Sequence, residues 1–187
     1  MSTPMPVKLY DFEYAPNPIK LRVYLAEKGI DIPMETVDFR RGEQRAPAFL
    51  ARNPAGALPV IKLSDGSHLS ESMAIIDYLE HLHPDPPMIG RDPLQRARIL
   101  ELERFIDTSI LSRVGQVIIH EFFLPEEKRI AEMAIRARAE LPGMLEILEN
   151  RLSPDGPFTT GEQPSIADCT LTAALSFDAF MGEREGC

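Results

Sequence analysis

Residues 53–82 read NPAGALPVIKLSDGSHLSESMAIIDYLEHL, and they predict a β-hairpin followed by a helix. Residues 60–63 and 67–69 are strand-like and flank Asp65-Gly66, a dipeptide typical of tight hairpin turns. Apolar side chains then recur at helical spacing over residues 71–82. The stretch therefore predicts a ββα unit.

Two strand–helix signals precede this unit. Residues 7–12 alternate apolar and polar side chains, which is a strand pattern. Asn17-Pro18 is typical of a helix start, with Asn17 as the N-cap and Pro18 in the first helical position, and Gly29 ends that helix. Residues 34–39 predict a second strand and residues 43–51 a short helix. The order βαβαββα implies a parallel strand pair joined by a right-handed crossover.

The second half of the chain predicts helices. Apolar residues step by three or four along one stripe, Ile99, Leu102, Ile106, Ile110, Val114 and Val117. A second stripe comprises Ile130, Ala134, Ala137, Leu141, Leu145, Leu148 and Leu152. Pro142-Gly143 interrupts it and predicts a kink or break. Ser165 and Asp168 predict a capping box, in which each side chain accepts the other's free backbone N–H.

The proline-rich segment His83-Pro84-Asp85-Pro86-Pro87 lies between the two halves. Prolines bias their predecessors away from helix, so we place a domain boundary here. The prediction is an α/β domain over residues 1–83, a linker over 84–92 and an all-α domain over 93–187.

Composition narrows the function classes. The 187 residues carry a net charge of −9, which is unfavourable for nucleic-acid binding. No apolar run approaches the roughly 20 residues that span a bilayer, and no secretory leader precedes residue 12. The default expectation is a cytoplasmic protein with neither a nucleic-acid nor a membrane partner.

The cysteines and histidines predict no metal site and no redox dithiol. The two cysteines cannot form a four-thiolate zinc site, and the four histidines do not share metal-ligand spacing with acids or thiols. A glutaredoxin would need a thiol where this chain has residues 15–18, which contain none. We expect Cys169 to be a buried apolar residue and Cys187 to be a mobile surface thiol.

Four segments of the chain, taken in order, form a recognisable set: Leu9-Tyr10 with residues 20–30 (KLRVYLAEKGI), residues 53–60 (NPAGALPV), residues 69–79 (LSESMAIIDYL), and Ser165-Ile166-Ala167-Asp168. Together they resemble the soluble glutathione S-transferase family, and the likeness is to its bacterial-type members. The resemblance covers nearly the whole chain. It implies a thioredoxin-like N-terminal domain followed by an all-α domain, with glutathione as co-substrate and no metal.

The resemblance also assigns glutathione-binding residues. Glu71 would pair with the ligand's ammonium group, and Ser72 at a helix start would bind the γ-glutamyl carboxylate. Pro59 would follow a cis peptide bond, so that the backbone of Leu58 pairs with the cysteinyl group. Gln44 and Arg45 lie in the region that often reaches the glycyl carboxylate in this family.

The thiol site departs from the family pattern. Ala15 occupies the place of the usual activating Ser or Cys, and its side chain donates nothing. Asp11 lies near the position of the activating Tyr in other classes, and a carboxylate there would repel a thiolate. The remaining donors are Asn17, Tyr14 and the backbone amides at the helix start. We favour Asn17, although its amide could equally serve only as an N-cap.

Three functions remain open at this stage. The leading one is a glutathione S-transferase that stabilises the thiolate for attack on a small hydrophobic electrophile, a detoxification reaction. The second is glutathione-dependent reduction of peroxides or disulfides, and the third is a non-catalytic binding module. Residues 117–124 are apolar enough to contact an electrophile, although they could equally be helix core. By resemblance, we also expect a two-fold homodimer.

Overall fold

The structure is a computed structural model that describes residues 3–182, with side chains described as far as residue 176. Cys187 lies outside the described residues. The chain divides into two compact units, one running to Pro86 and the other beginning at Pro87. Among the described residues, no helix is long and apolar enough to cross a membrane.

The first unit is built on a four-stranded mixed sheet. Its strands are β1 (Pro6–Asp11), β2 (Met34–Thr36), β3 (Val60–Leu63) and β4 (His68–Ser70), in the order β2-β1-β3-β4. β1 and β2 are parallel, whereas the β1–β3 and β3–β4 pairs are antiparallel. The helices are α1 (Pro16–Lys28), α2 (Pro47–Leu50) and α3 (Ser72–Leu82). This is the predicted βαβαββα order.

Both faces of the two central strands, β1 and β3, are buried. Leu9 and Ile61 are paired in register and fully buried. Tyr10 and Val60, one residue along each strand, point to the opposite face and pack with Phe49 of α2. Because each face is covered, the loops at the ends of the strands are the parts left to hold a ligand.

Two predicted elements in this unit are shorter than expected. β2 stops at Thr36, because the Asp38 side chain accepts the Arg40 N–H and caps a 3₁₀ turn at Phe39–Arg41. The helix predicted over residues 43–51 is divided into a 3₁₀ turn, Glu43–Arg45, and α2. Pro47 explains the division, since it has no N–H and starts a new helix at its first position.

A buried ion pair joins α1 to α3. Lys28 Nζ lies 2.8 Å from Glu80 Oε1, with the two side chains 0% and 5% exposed. Tyr24 donates its hydroxyl to the same carboxylate oxygen, and Lys28 also donates to the Pro86 carbonyl. The three side chains therefore hold the two helices and the end of the unit together.

The second unit is helical, as predicted. Its helices are α4 (Pro93–Phe105), α5 (Ser112–Ile118), α6 (Ala131–Glu149) and α7 (Ile166–Gly182). Two π-helical segments, Ile106–Leu111 and Ile119–Phe123, follow α4 and α5 without a break in helical backbone. All six residues of the first predicted stripe are buried.

The second predicted stripe is only partly correct. Ala134, Ala137 and Leu148 are buried, whereas Ile130, Leu145 and Leu152 are exposed. Of the kink or break predicted at Pro142, the break is wrong, because α6 continues through this residue. The missing proline N–H costs one helical hydrogen bond, and the residues on both sides of Pro142 remain helical.

The predicted capping box is present with one change. The Asp168 carboxylate accepts the Ser165 N–H at 2.8 Å, as expected. The Ser165 hydroxyl donates to Asp168 and accepts from Ala167 N–H, rather than accepting from Asp168 N–H. The other carboxylate oxygen of Asp168 accepts from Thr159 N–H at 2.8 Å, which ties the preceding loop to the helix start. Cys169 is buried, as expected.

Candidate functional site

The start of α3 is set by an unusual backbone conformation at Glu71. Its φ of 71° is the only positive value at a non-glycine residue in the described part of the chain. Such a conformation is sterically unfavourable for a residue with a Cβ, and it is found where surrounding structure imposes it. It turns the chain from β4 into α3, so that Ser72 is the first helical residue. The amides of that first turn are without helical partners, as an anion site requires.

The side chains of these two residues are placed differently. Glu71 is exposed, and within residues 3–182 its carboxylate has no hydrogen bond or ion pair. Ser72 is buried, with 7% of its surface exposed. Its hydroxyl donates to Asn17 Oδ1 at 3.3 Å. Glu71 is therefore available to a cationic ligand group, whereas Ser72 already has an acceptor.

The turn before β3 contains the predicted cis peptide bond between Leu58 and Pro59. Asn53 holds this turn, since its amide donates to the Ala57 carbonyl at 2.9 Å and accepts from Ala55 N–H at 3.1 Å. In the part of the chain that the structure describes, the Leu58 N–H and C=O make no backbone hydrogen bond. Both groups are therefore available to pair with an extended ligand backbone.

The start of α1 differs from the prediction. The N-cap is Ala15, in extended conformation, with Pro16, Asn17 and Pro18 as the first three helical residues. Asn17 as N-cap is wrong, because residue 15 precedes a proline and is itself driven out of helical conformation. Two of the first three helical residues are prolines without an N–H, so the backbone N–H of Asn17 is the one donor among them.

The contact between Ser72 and Asn17 brings the starts of α1 and α3 together. The Asn17 side chain is exposed, and its oxygen accepts from Ser72. The NH₂ end of the same amide is then the end left for a ligand. Asn17 thus presents two N–H groups, one from the backbone and one from the side chain, beside the anion site of α3.

Tyr14 lies in an aromatic cluster. Its ring contacts that of Phe12 edge-on, with centroids 5.6 Å apart, and Phe12 in turn packs on Phe39. The Arg40 guanidinium lies 5.1 Å from the centre of the Tyr14 ring. The sequence pattern gave no sign of Arg40, because the contact depends on how the 3₁₀ turn folds back.

Asp11 is buried at the end of β1. Burial raises its pKa above the ordinary range, and the charge of Arg22, whose Nε lies 3.9 Å from Asp11 Oδ2, opposes that rise. The positive charge of Arg22 beside Asp11 also offsets part of the repulsion of a thiolate that the sequence suggested.

Gln44 and Arg45 pack against the turn at residues 53–56. Arg45 donates to the Ala55 carbonyl at 3.3 Å, and a Cβ on Gly56 would lie 2.9 Å from Arg45 Nη1 and from the Gln44 carbonyl oxygen. The Gln44 side-chain oxygen is buried and has no hydrogen-bond partner among the described residues. The two residues therefore adjoin the turn that contains Leu58, whose backbone is predicted to pair with the cysteinyl group of the ligand.

The predicted site residues thus fall into two contacting sets within the first unit. Ser72 and Asn17 form one, and Gln44 and Arg45 with the 53–56 turn form the other. The apolar residues 117–124 belong to the second unit, where Val117 and Ile118 are buried and Phe123 is exposed. Among the described residues, no group of three or more His, Cys, Asp or Glu could hold a metal ion.

A thioredoxin-like unit with this turn and helix start, followed by a helical unit, defines the glutathione S-transferase architecture. Two family models match the chain. The glutathione S-transferase N-terminal domain covers residues 14–82, and the C-terminal domain covers residues 95–178. The chain belongs to the glutathione S-transferase family.

Curated relatives come from several branches of the family. Glutathione S-transferase 2 of Saccharomyces cerevisiae is 29% identical over 182 residues, covering 92% of this chain and 76% of the relative. A probable maleylacetoacetate isomerase of Caenorhabditis elegans is 30% identical, covering 91% and 78%. The maleylacetoacetate isomerase of Pseudomonas aeruginosa is 42% identical over 94 residues, covering 49% and 44%.

Solved structures agree with this assignment. A glutathione S-transferase domain-containing protein of Marinobacter aquaeolei superposes with a TM-score of 0.85 at 29% identity, covering 93% of this chain and 87% of that one. Human glutathione transferase theta-2, solved with glutathione, gives a TM-score of 0.84 at 26% identity, covering 94% and 73%.

Proposed function

We propose that the first unit binds glutathione across the starts of α1 and α3 and activates its thiol for attack on an electrophilic carbon. Relatives named glutathione S-transferase in yeast, Pseudomonas putida and cattle support the enzyme class, which is glutathione transferase. The observation that carries the site is the hydrogen bond from Ser72 to Asn17, because it makes the predicted carboxylate site and the predicted thiol site neighbours.

The γ-glutamyl group binds at the start of α3. Its carboxylate accepts the free backbone N–H groups of the first turn, where the helix dipole favours negative charge. The exposed Glu71 carboxylate pairs with its ammonium group. The single hydrogen of the Ser72 hydroxyl cannot serve Asn17 and the ligand at once, so the backbone amides carry the carboxylate while Ser72 holds Asn17.

The cysteinyl group pairs with Leu58 as a short antiparallel strand would. The Leu58 N–H and C=O supply one donor and one acceptor, which fix the ligand backbone. Gln44 and Arg45, against the adjoining turn, lie where the glycyl carboxylate would extend. A donor and a cation at that end complement a carboxylate.

The thiol lies at the start of α1. Ala15 has no side-chain donor, so stabilisation of the thiolate falls to the two N–H groups of Asn17. Tyr14 is a weaker candidate, because its ring is held by Phe12 and Arg40. The thiolate then attacks the electrophile directly, with no covalent enzyme intermediate, and the protein supplies position and electrostatic stabilisation.

One set of assays tests this function. Calorimetric titration measures glutathione binding, and turnover is followed with a chloronitrobenzene, a hydroperoxide and maleylacetoacetate. The last substrate is included because two relatives carry the name of its isomerase. We expect binding and conjugation. Absence of binding refutes the proposal, and binding without turnover of any substrate favours a non-catalytic module. Turnover confined to the hydroperoxide favours the reductase.

We further propose that the protein acts in the cytoplasm, in detoxification of small hydrophobic electrophiles, as a two-fold homodimer. The dimer is supported by the family assignment. Sedimentation at micromolar concentration should give twice the chain mass of 21.0 kDa. A species of 21 kDa alone would refute it.

A further inference from the structure

A cavity of about 480 Å³ lies at the surface of the second unit and is open to solvent, and all of its lining residues belong to that unit. Three line it from α4 and four from the segment between α6 and α7: Arg98, Glu101, Leu102, Arg151, Ser153, Thr159 and Thr160. The volume is in the range of sites that hold small metabolites. None of these residues enters the glutathione site proposed above.

Two cations of the cavity lack acidic partners. Within the described residues, neither Arg98 nor Arg151 lies in an ion pair, although four other arginines of the same unit do, at positions 104, 113, 136 and 138. Both side chains are exposed, so their charged groups are accessible to a ligand from solvent. The Arg151 guanidinium stacks over the Phe105 ring at 4.6 Å, which limits its orientations. A stacked guanidinium is well suited to bidentate recognition of an oxyanion.

Hydroxyl groups accompany the two arginines. The Ser153 oxygen accepts from Asp155 N–H at 3.2 Å, which leaves its hydrogen to donate elsewhere. Thr159 is 6% exposed, and its buried hydroxyl has no hydrogen-bond partner among residues 3–182. Its backbone is fixed on both sides, by Asp168 Oδ1 and by Ser153 N–H, so the side chain is held in the cavity wall. Buried polar groups without partners are rare in native structures and call for an explanation.

We propose that this cavity binds a small metabolite that carries an oxyanion, a phosphate ester or a carboxylate, next to a hydroxyl or ammonium group. Arg98 and Arg151 hold the oxyanion, and the Ser153 hydroxyl donates to it. The Thr159 hydroxyl, which is covered in the structure without ligand, reaches the oxyanion by rotation about its Cα–Cβ bond. Glu101 lies in the same wall and would repel a bare anion. It therefore selects ligands that also bring a donor group, as polyol phosphates and hydroxy acids do.

Calorimetric titration of the full chain with glycerol phosphate, citrate and uncharged glycerol tests the site. We expect one of the two anions to bind and glycerol not to bind. Preference for glycerol phosphate identifies a phosphate site, and preference for citrate identifies a carboxylate site. Failure of both anions to bind at millimolar concentration overturns the proposal.

Variants locate the binding. Arg98→Gln and Arg151→Gln should each weaken it about tenfold or more, as expected for loss of a charge-assisted hydrogen bond. Glu101→Gln should tighten binding of the preferred anion by removing a like charge. Arg104→Gln is the matched control, because Arg104 lies on the same helix and pairs with Asp107. Equal binding by all four variants overturns the site.

Thr159→Val distinguishes a ligand-binding hydroxyl from a structural one. The substitution keeps both backbone hydrogen bonds and the side-chain shape. Anion affinity should fall severalfold, whereas stability without ligand should not fall, because the hydroxyl has no protein partner to lose. Loss of stability with unchanged affinity would contradict the assignment of Thr159. Glutathione binding, measured in parallel, should be unchanged in every variant, so this test is independent of the proposed transferase function.

Discussion

Asn17→Ala should raise the pKa of the thiol of bound glutathione by about one unit. In the described structure the first turn of α1 contains two prolines, so Asn17 supplies the backbone donor and the side-chain donor together. Alanine keeps the first and removes the second. A hydrogen bond to a charged group contributes roughly 1.5–3 kcal/mol, and the exposure of Asn17 favours the lower end of that range. About 1.4 kcal/mol corresponds to one pKa unit.

The assay is a pH titration of the ultraviolet absorbance of the bound thiolate, with glutathione at saturating concentration. Wild type, Asn17→Ala and Tyr14→Phe are compared. The thiolate fraction below the pKa should fall about tenfold in Asn17→Ala, and conjugation should fall with it. Tyr14→Phe should titrate as wild type does. Pro16→Ala should instead lower the pKa of the bound thiol, because alanine adds a backbone N–H at the start of α1.

The result that refutes this reasoning is a larger shift in Tyr14→Phe than in Asn17→Ala. Tyr14 would then be the activating donor and Asn17 only a residue that positions Ser72. A pKa unchanged in both variants, together with a lower value in Pro16→Ala, would assign the activation to backbone amides alone.

Four further changes test the rest of the structure. Glu71→Gln should weaken glutathione binding about ten- to a hundredfold in calorimetry without lowering stability, because it removes a charge-assisted bond to the ligand's ammonium; an unchanged dissociation constant would contradict that role. Glu80→Gln should cost about 3 kcal/mol in urea unfolding, since it leaves the charge of Lys28 buried and unpaired; a loss below about 0.5 kcal/mol would show that the pair contributes little. Asp168→Ala should cost about 2 kcal/mol through three lost hydrogen bonds, with glutathione affinity unchanged; an unaltered melting temperature would argue against a structural cap. For Asp11→Asn the expected change in the free energy of unfolding depends on pH. Burial raises the folded-state pKa of Asp11, so the carboxyl's favourable contribution is complete below its unfolded pKa and is lost as pH rises through the folded value. The variant should therefore gain stability relative to wild type between acid and neutral pH, and a gain that is the same at all pH values would contradict the shift.

Most of the first unit could be predicted because its signals are local. The Asp-Gly turn, the proline before β3 and the glycine after α1 each act within a few residues, and the strands and helices they bound form where expected. The helix start at residues 15–18 could not be settled in this way. Asn17 is a favoured N-cap by type, but its oxygen is taken by Ser72, 55 residues away in sequence. A contact of that range leaves no trace in a local pattern.

The same limit applies to the site. The cis bond between Leu58 and Pro59 was implied by the resemblance of residues 53–60 to a family motif, and the structure contains it. The contact of Arg40 with Tyr14 depends on tertiary packing of a 3₁₀ turn, and the sequence gave no corresponding signal.

The spacing of the first apolar stripe indicates the π-helical segment, although a regular α-helical period does not account for it. Its middle steps, from Leu102 to Ile106, Ile110 and Val114, are all of four residues. In an α-helix each such step advances the stripe by about 40° around the axis, so three would carry it well away from the core. The π-helical segment Ile106–Leu111 takes up this drift and keeps all four residues buried.

That π-helical segment also determines which length changes the second unit can tolerate. Deleting one residue from Ile106–Leu111 would allow the segment to rewind as ordinary α-helix. Because a π-helical turn holds one residue more than an α-helical turn, the deletion removes that extra residue, and the chain beyond keeps its orientation about the helix axis. Val114 and Val117 would stay in the core. A one-residue deletion within α4 would instead turn the chain beyond it by about 100°, since an α-helix has 3.6 residues per turn, and would take both valines out of the core. The π-helical segment is therefore the part of this helix that can absorb the loss of one residue.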